Sequence, residues 1–198
     1  MQHHQESIRL SRNSLSSREQ TSLSKMAGRD KFTRSAILTL IGSFCVELIV
    51  GSQYAWGAMA IYIVGYFRHI GNPEANMSQF YLVLPLIVIT STVFFPIGME
   101  MATRVGPRLA IATGGTIVVS TTFMSSFAQT PGAFFAIYSI GFGVGKGFLY
   151  PAPLKAGWSH LESRKGLVSG IIVSGLGIGS SCFGMLVSWL VNPDNLTP

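Results

Sequence analysis

Apolar residues are gathered into five long stretches, instead of following the one-faced or alternating patterns of soluble helices and strands. Each stretch is near or above the about 20 residues that a helix needs to cross about 30 Å of hydrocarbon. We therefore predict an all-α integral membrane protein whose transmembrane domain covers residues 35–198. Its helices are predicted at about 35–67, 79–99, 109–128, 133–153 and 166–191.

A basic, hydroxyl-rich tail precedes the first stretch. Residues 1–34 contain seven of the 14 Lys and Arg residues and few apolar ones, so we predict a disordered tail. This composition also fits a mitochondrial presequence, whereas the first apolar stretch is too long for a cleaved secretory signal.

The charge distribution indicates a membrane partner. The chain is 48% hydrophobic and 11% charged, against about 25% charged residues in a soluble domain. A net charge of +6 would otherwise suggest nucleic acid, but the long apolar runs favour membrane lipid. Lys and Arg number 12 in the tail and alternate connections, and one in the others, which predicts a cytoplasmic N-terminus. Plasma and organelle membranes are not distinguished.

The glycine-rich stretch GFGVGKGFLYPAP, residues 141–153, resembles a phosphate loop only in composition. In a P-loop a glycine would stand at Ile140 and a hydroxyl residue at Gly147, so the register excludes that motif. Because the stretch lies in a predicted span, we interpret its glycines as packing residues that join helices 4 and 5.

Two charged residues lie inside predicted spans. Lys146 shares a helical face with Tyr150, and a cation at this depth is rare enough to suggest a function. Glu47 of the first span lies at a similar depth, so the two could form an intramembrane pair, a proton relay or a substrate relay. The alternative for Lys146 is that its long side chain extends to the cytoplasmic interface.

The sequence GSQYAWG, residues 51–57, places polar and aromatic groups inside the first span. Gln53 and Tyr54 offer hydrogen bonds, and Trp56 offers a flat apolar wall. We predict that these residues line a substrate cavity together with Lys146 and Tyr150. The alternative is an aromatic belt at the outer interface.

Enzyme motifs are missing from the sequence, which contains no HExxH, CxxC or GxSxG pattern. We therefore predict no enzymatic activity, no cofactor and no metal site. Cys45 and Cys182 are interpreted as small buried hydrophobic residues.

Three stretches resemble the major facilitator superfamily of transporters, and most closely its oxalate/formate antiporter and monocarboxylate transporter branch. GSQYAWG resembles the Gly, Tyr and Trp signature of helix 1, and RVGPRLAI, residues 104–111, resembles the signature between helices 2 and 3. GFGVGKGFLYPAP and RKGLVSGIIVSGLGIGSS, residues 164–181, resemble helices 4 and 5. Thr103 stands where the family has Asp, and Glu100 is a nearby acid.

The resemblance implies the N-terminal six-helix half of the major facilitator fold. It implies a secondary transporter for small anionic substrates such as oxalate, formate or other monocarboxylates, working by alternating access. It also implies that Arg104, Gly106 and Arg108 form the gating loop that latches the two halves. The alternative is a truncated, non-transporting protein that is a remnant or regulates a full-length relative. Its partner would be that relative, or a second transporter half.

Overall fold

The computed structural model describes residues 34–191, all of whose regular elements are helical. The predicted tail therefore lies outside the described residues except for Arg34. The helices are α1 Arg34–Val50, α2 Trp56–His69, α3 Met77–Phe80, α4 Val83–Arg104, α5 Pro107–Ser125, α6 Pro131–Leu149, α7 Pro151–His160 and α8 Lys165–Val191. Short 3₁₀ helices at Gly51–Ala55 and Glu162–Arg164 precede α2 and α8.

Four helical stretches within 34–191 are long and apolar enough to cross a membrane: Arg34–His69, Met77–Arg104, Pro131–His160 and Glu162–Val191. The predicted segment at 109–128 is present as α5, but Thr and Gly residues make it less apolar than the other four. The chain is thus an all-α, multi-pass membrane protein, and the helix count roughly agrees with the sequence prediction.

The first predicted span is one helical stretch with a 3₁₀ turn in its middle. GSQYA, residues 51–55, forms that turn between α1 and α2. A 3₁₀ turn winds more tightly than an α-helix, so it rotates the side chains above it relative to those below. The polar and aromatic stretch inside the first span is therefore a change of winding and not a break in the helix.

The fourth span continues beyond its predicted end at residue 153. Pro151 begins α7, where a proline is tolerated because the first turn of a helix needs no amide donors. Tyr150 still donates its backbone N–H to the Lys146 carbonyl, so α6 and α7 follow each other almost without a break. Much of the predicted connection around Lys155 is therefore helical.

Helix α6 lies between α4 and α5, and its two glycine pairs face different neighbours. Gly141 and Gly145 pack on α5, whereas Gly143 and Gly147 pack on α4. A Cβ atom at Gly143 would lie 2.6 Å from the Cβ of Thr90. The prediction that these glycines join the fourth and fifth predicted spans, which are α6 and α8, is therefore wrong. Glycine spacing indicates that another helix approaches closely, but not which helix it is.

Glycines of α8 bring that helix against α1. A Cβ atom at Gly175 would lie 2.6 Å from the Phe44 carbonyl oxygen, and one at Gly51 would lie 2.5 Å from that of Leu176. Helix α7 bridges the two groups, since it packs on α1 and α8 as well as on α4 and α5. The described residues thus form one bundle in which α1 and α6 meet at the centre.

The two cysteines lie on the outside of this bundle. Cys45 and Cys182 are both free and exposed, so the expectation that they are buried is wrong. A helix in a membrane has apolar residues on its outer face as well, because lipid replaces water there. Apolar surroundings in the sequence therefore do not indicate burial in the protein.

Candidate functional site

Lys146 is buried near the middle of the fourth predicted span, the stretch Pro131–His160. Its residue is 5% exposed, and its Nζ atom lies 5.5 Å from the centroid of the Tyr54 ring. This is within the range of a cation–π interaction, which partly offsets the cost of burying the ammonium group. The structure thus brings together two residues that the sequence predicts to share a site, from two different helices.

Glu47 lies on the part of α1 that faces both α6 and α8. It is 0% exposed, and neither of its carboxylate oxygens has a hydrogen-bond partner within residues 34–191. Glu47 and Lys146 are close enough to attract each other electrostatically. They are not in contact, since the only ion pair in the described part of the chain joins Glu100 and Arg104.

Tyr150 lies at the end of the predicted site where α6 meets α7. Its ring stacks on Phe95 of α4, with centroids 5.1 Å apart and planes 8° from parallel. Its phenol lies within electrostatic range of Glu47 and Tyr54. The stacking fixes the ring, so the phenol oxygen is the part of this side chain that is available to the site.

Gln53 and Tyr54 are neighbours in the 3₁₀ turn, but their side chains point in different directions. Gln53 is 1% exposed, and neither atom of its amide has a partner among residues 34–191. Tyr54 is 44% exposed and turns one side of its ring toward Lys146. Of these two neighbours, therefore, Tyr54 faces open space and Gln53 points into the packed protein.

Trp56 packs in an aromatic cluster with Phe80, Phe134 and Tyr138. Its ring stacks on Tyr138 at 5.3 Å between centroids and on Phe134 at 6.0 Å. Its indole N–H donates to the Phe80 carbonyl oxygen at 3.2 Å. Trp56 thereby joins α2 to α6 and to the end of α3, and its polar atom is already satisfied.

Two serines belong to the same region and were not singled out from the sequence. Ser139 is buried on the Lys146 side of α6, and its hydroxyl has no partner within the described residues. Ser43 on α1 donates to the Pro153 carbonyl oxygen at 3.3 Å. A signal was available, because Ser139 is seven residues before Lys146 and Ser43 is four before Glu47, spacings that share a helical face.

The predicted gating loop lies between α4 and α5. Gly106 has φ +116° and ψ 151°, a conformation that residues with a Cβ rarely adopt. Arg104 pairs with Glu100 one helical turn earlier. Glu100 is thus the acid that pairs with Arg104, whereas Thr103 stands where the family signature has Asp. Arg108 lies in the first turn of α5.

A cavity of about 650 Å³ lies in the connections at the other end of the bundle. Its lining includes Asn72, Glu74, Gln79 and Phe135, and none of the predicted site residues. Asn72 donates to the Gln129 carbonyl oxygen at 3.1 Å, which ties the two connections together. The size of this cavity therefore does not mark it as the site, since the buried charges lie elsewhere.

No cluster of His, Cys, Asp or Glu within residues 34–191 has the composition of a metal site. The site combines the ammonium group of Lys146 with the carboxyl group of Glu47 and the phenols of Tyr54 and Tyr150. Such a set can bind an anion through the ammonium group and hydrogen-bond it through the phenols.

Comparison with known proteins relates this chain to membrane transporters. No family model matches the chain. The apicoplast pyruvate carrier 1 of Toxoplasma gondii is 26% identical over 83% of this chain and 36% of its own length. The agnestins efflux protein of Paecilomyces divaricatus is 31% identical over 90% of this chain and 40% of its own length.

The oxalate:formate antiporter of Oxalobacter formigenes is 28% identical over 75% of this chain and 34% of its own length. Animal monocarboxylate transporters match as well, at 22 to 29% identity. The chain thus spans 34 to 40% of the length of the three curated relatives named here. The resemblance to part of a major facilitator superfamily transporter is confirmed.

Proposed function

We propose that this chain is the N-terminal half of a secondary transporter that moves small carboxylates, such as oxalate, formate or other monocarboxylates, by alternating access. The observation that carries this proposal is Lys146, a buried cation without an ion-pair partner among residues 34–191. An unpaired charge at membrane depth is costly, and a substrate anion would relieve that cost.

Each residue of the site has a distinct role in this proposal. The ammonium group of Lys146 binds the substrate carboxylate, and the phenols of Tyr54 and Tyr150 donate hydrogen bonds to it. Gln53 and Trp56 are packed behind Tyr54 and support the wall of the site, and the Gln53 amide would reach a substrate only if the turn that carries it moved. Glu47 is the electrostatic partner of Lys146.

The second half of the transporter would complete the site. Tyr54 is 44% exposed, so residues 34–191 leave one side of the site open. A second set of helices is needed to enclose a substrate there. Arg104, Gly106 and Arg108 would contact that second half at the cytoplasmic side. The names of the relatives include a pyruvate carrier and an oxalate:formate antiporter, which favours small carboxylates and exchange.

A transport assay on the complete gene product tests this proposal. The protein and a Lys146→Ala variant would be reconstituted into liposomes, and uptake of labelled formate, oxalate and pyruvate would be measured. We expect Lys146→Ala to abolish uptake, because the substrate loses the only buried cation among residues 34–191. Lys165→Ala is the matched control, since Lys165 is exposed at the start of α8. Unchanged uptake by Lys146→Ala would refute the assignment.

A second candidate is a non-transporting membrane protein that binds a full-length relative. The chain spans 34 to 40% of the length of the three relatives named above, so the size of the natural product is what separates the two candidates. An antibody to residues 1–34 would show the natural product in a membrane fraction. A stable band at 21.4 kDa that copurifies with a longer relative supports this candidate. A band near the size of a complete transporter supports the first proposal instead.

A further inference from the structure

We propose that Glu47 and the substrate carboxylate compete for Lys146, so that Glu47 replaces the substrate as its counter-ion when the carrier returns unloaded. This inference rests on the function proposed above, and it assigns Glu47 a separate task within it. Glu47 would decide whether the transporter can move substrate in one direction or can only exchange it.

Two contacts place Glu47 and Lys146 at similar depth. Ser43 bonds to the Pro153 carbonyl oxygen, and the Trp56 ring stacks on Tyr138, which fixes α1 and the fourth span as antiparallel neighbours. Between these contacts, Glu47 lies opposite residues 148–149, less than about one helical turn of 3.6 residues from Lys146. A lysine side chain is long and flexible enough to cover that distance.

The surroundings of Glu47 offer its carboxylate no other cation. Lys146 and Tyr150 face it from the fourth span, and Tyr54 lies above it on its own span. Helix α8 presents Gly175 here, where a Cβ atom would lie 3.2 Å from that of Glu47. Helix α7, which also packs on α1, carries Lys155, but within residues 34–191 Lys146 is the one buried cation that acts electrostatically on Glu47.

Lys146 can have only one of two anionic partners at a time. While it binds a substrate carboxylate, Glu47 is left buried without a partner, and a proton from the water-filled side keeps it neutral. When the substrate leaves, Glu47 releases that proton and pairs with Lys146. The site then carries no net charge in either condition, which lowers the cost of moving it across the membrane.

Removing the carboxylate should therefore affect one mode of transport more than the other. The complete gene product would be reconstituted into liposomes that either contain unlabelled substrate, to measure exchange, or contain none, to measure net uptake. We expect Glu47→Gln to lower net uptake relative to exchange by about tenfold or more, because an unloaded Lys146 keeps an uncompensated charge. Glu162→Gln, at an exposed position, should keep the wild-type ratio.

A second variant guards against misfolding of the first. Glu47→Asp keeps the carboxylate but shortens its reach, so the ratio of net uptake to exchange should fall between those of wild type and Glu47→Gln. If Glu47→Gln lowers both rates equally or neither, or if Glu47→Asp alone folds and keeps the wild-type ratio, the inference is overturned. Wild-type protein that shows no exchange, or a Lys146→Ala variant that exchanges normally, contradicts the proposed function instead.

Discussion

The ring of Tyr54 and the ammonium group of Lys146 lie 5.5 Å apart, although the residues belong to the first and fourth spans. This contact crosses the central α1–α6 boundary of the bundle at membrane depth. It uses the π face of the ring, which leaves the phenol hydroxyl available for another partner. The contact therefore couples the position of the cation to the winding of the 3₁₀ turn that carries Tyr54.

Replacing Tyr54 should separate the contribution of its ring from that of its hydroxyl. Tyr54→Leu removes the ring and should destabilise the protein by about 0.5–2 kcal/mol, whereas Tyr54→Phe keeps the cation–π contact and should have little effect. Thermal unfolding in detergent measures both. In a Lys146→Met background, Tyr54→Leu and Tyr54→Phe should have the same unfolding midpoint, because the cation that distinguishes the two side chains is gone.

Tyr81→Leu is the control for this series, because Tyr81 is exposed and should tolerate the change. Equal destabilisation by Tyr54→Leu with and without Lys146 would show that the ring contributes packing only.

The contact between α1 and α8 should depend on individual glycines of α8. Gly175→Ala would place a Cβ atom 2.6 Å from the Phe44 carbonyl oxygen, and rigid backbone cannot move aside easily. We expect a loss of about 1–3 kcal/mol in stability, typical of overpacking. Gly177→Ala is the matched control, since nothing lies within 4 Å of its Cβ position. Detergent unfolding of the two variants measures the difference, and similar midpoints would show that α8 shifts without cost.

The turn between α4 and α5 should require glycine at position 106. Its φ of +116° with ψ of 151° lies in a region that is accessible essentially to glycine alone. Gly106→Ala should therefore cost about 1–3 kcal/mol through backbone strain, with open space around the new methyl group. The comparison is Gly115→Ala, which lies in α5 with equally open surroundings. A lower unfolding midpoint is expected for Gly106→Ala only.

The helices could be predicted from the sequence because length and hydropathy determine what can span a membrane. The partners of the helices could not. The glycine spacing of residues 141–147 showed that other helices approach closely, but Gly141 and Gly143 face different neighbours. Cys45 illustrates the same limit, because hydropathy does not distinguish a lipid-facing position from a protein-facing one.

The site was predicted in part for a related reason. Charges are rare in a span, so Glu47 and Lys146 were recognisable individually, and their similar depth follows from counting residues. The direction of Gln53 was not predictable, because the 3₁₀ turn rotates it into the protein while Tyr54 stays half exposed. Trp56 was predicted as a flat wall of the cavity, and the contacts of its ring with Tyr138 could not be predicted because they join distant parts of the chain.

The orientation of the chain in the membrane is open to a direct test. The connection after α7 contains Arg164 and is followed by Lys165 at the start of α8, whereas Arg68, in the last turn of α2, is the one Lys or Arg residue near the connection between α2 and α3. The positive-inside rule therefore predicts that the connection after α7 lies in the cytoplasm. Single cysteines at two exposed positions, Glu74→Cys and Ser163→Cys, would be introduced into a chain in which both native cysteines are serine.

A membrane-impermeant maleimide should then react with Glu74→Cys from the non-cytoplasmic side of sealed vesicles, and with Ser163→Cys only after permeabilisation. The cysteine-free chain serves as the control for background labelling. Labelling in the opposite pattern would place the N-terminus on the non-cytoplasmic side. It would also move Arg104 and Arg108 there, so a role of that loop in gating at the cytoplasmic face would have to be abandoned.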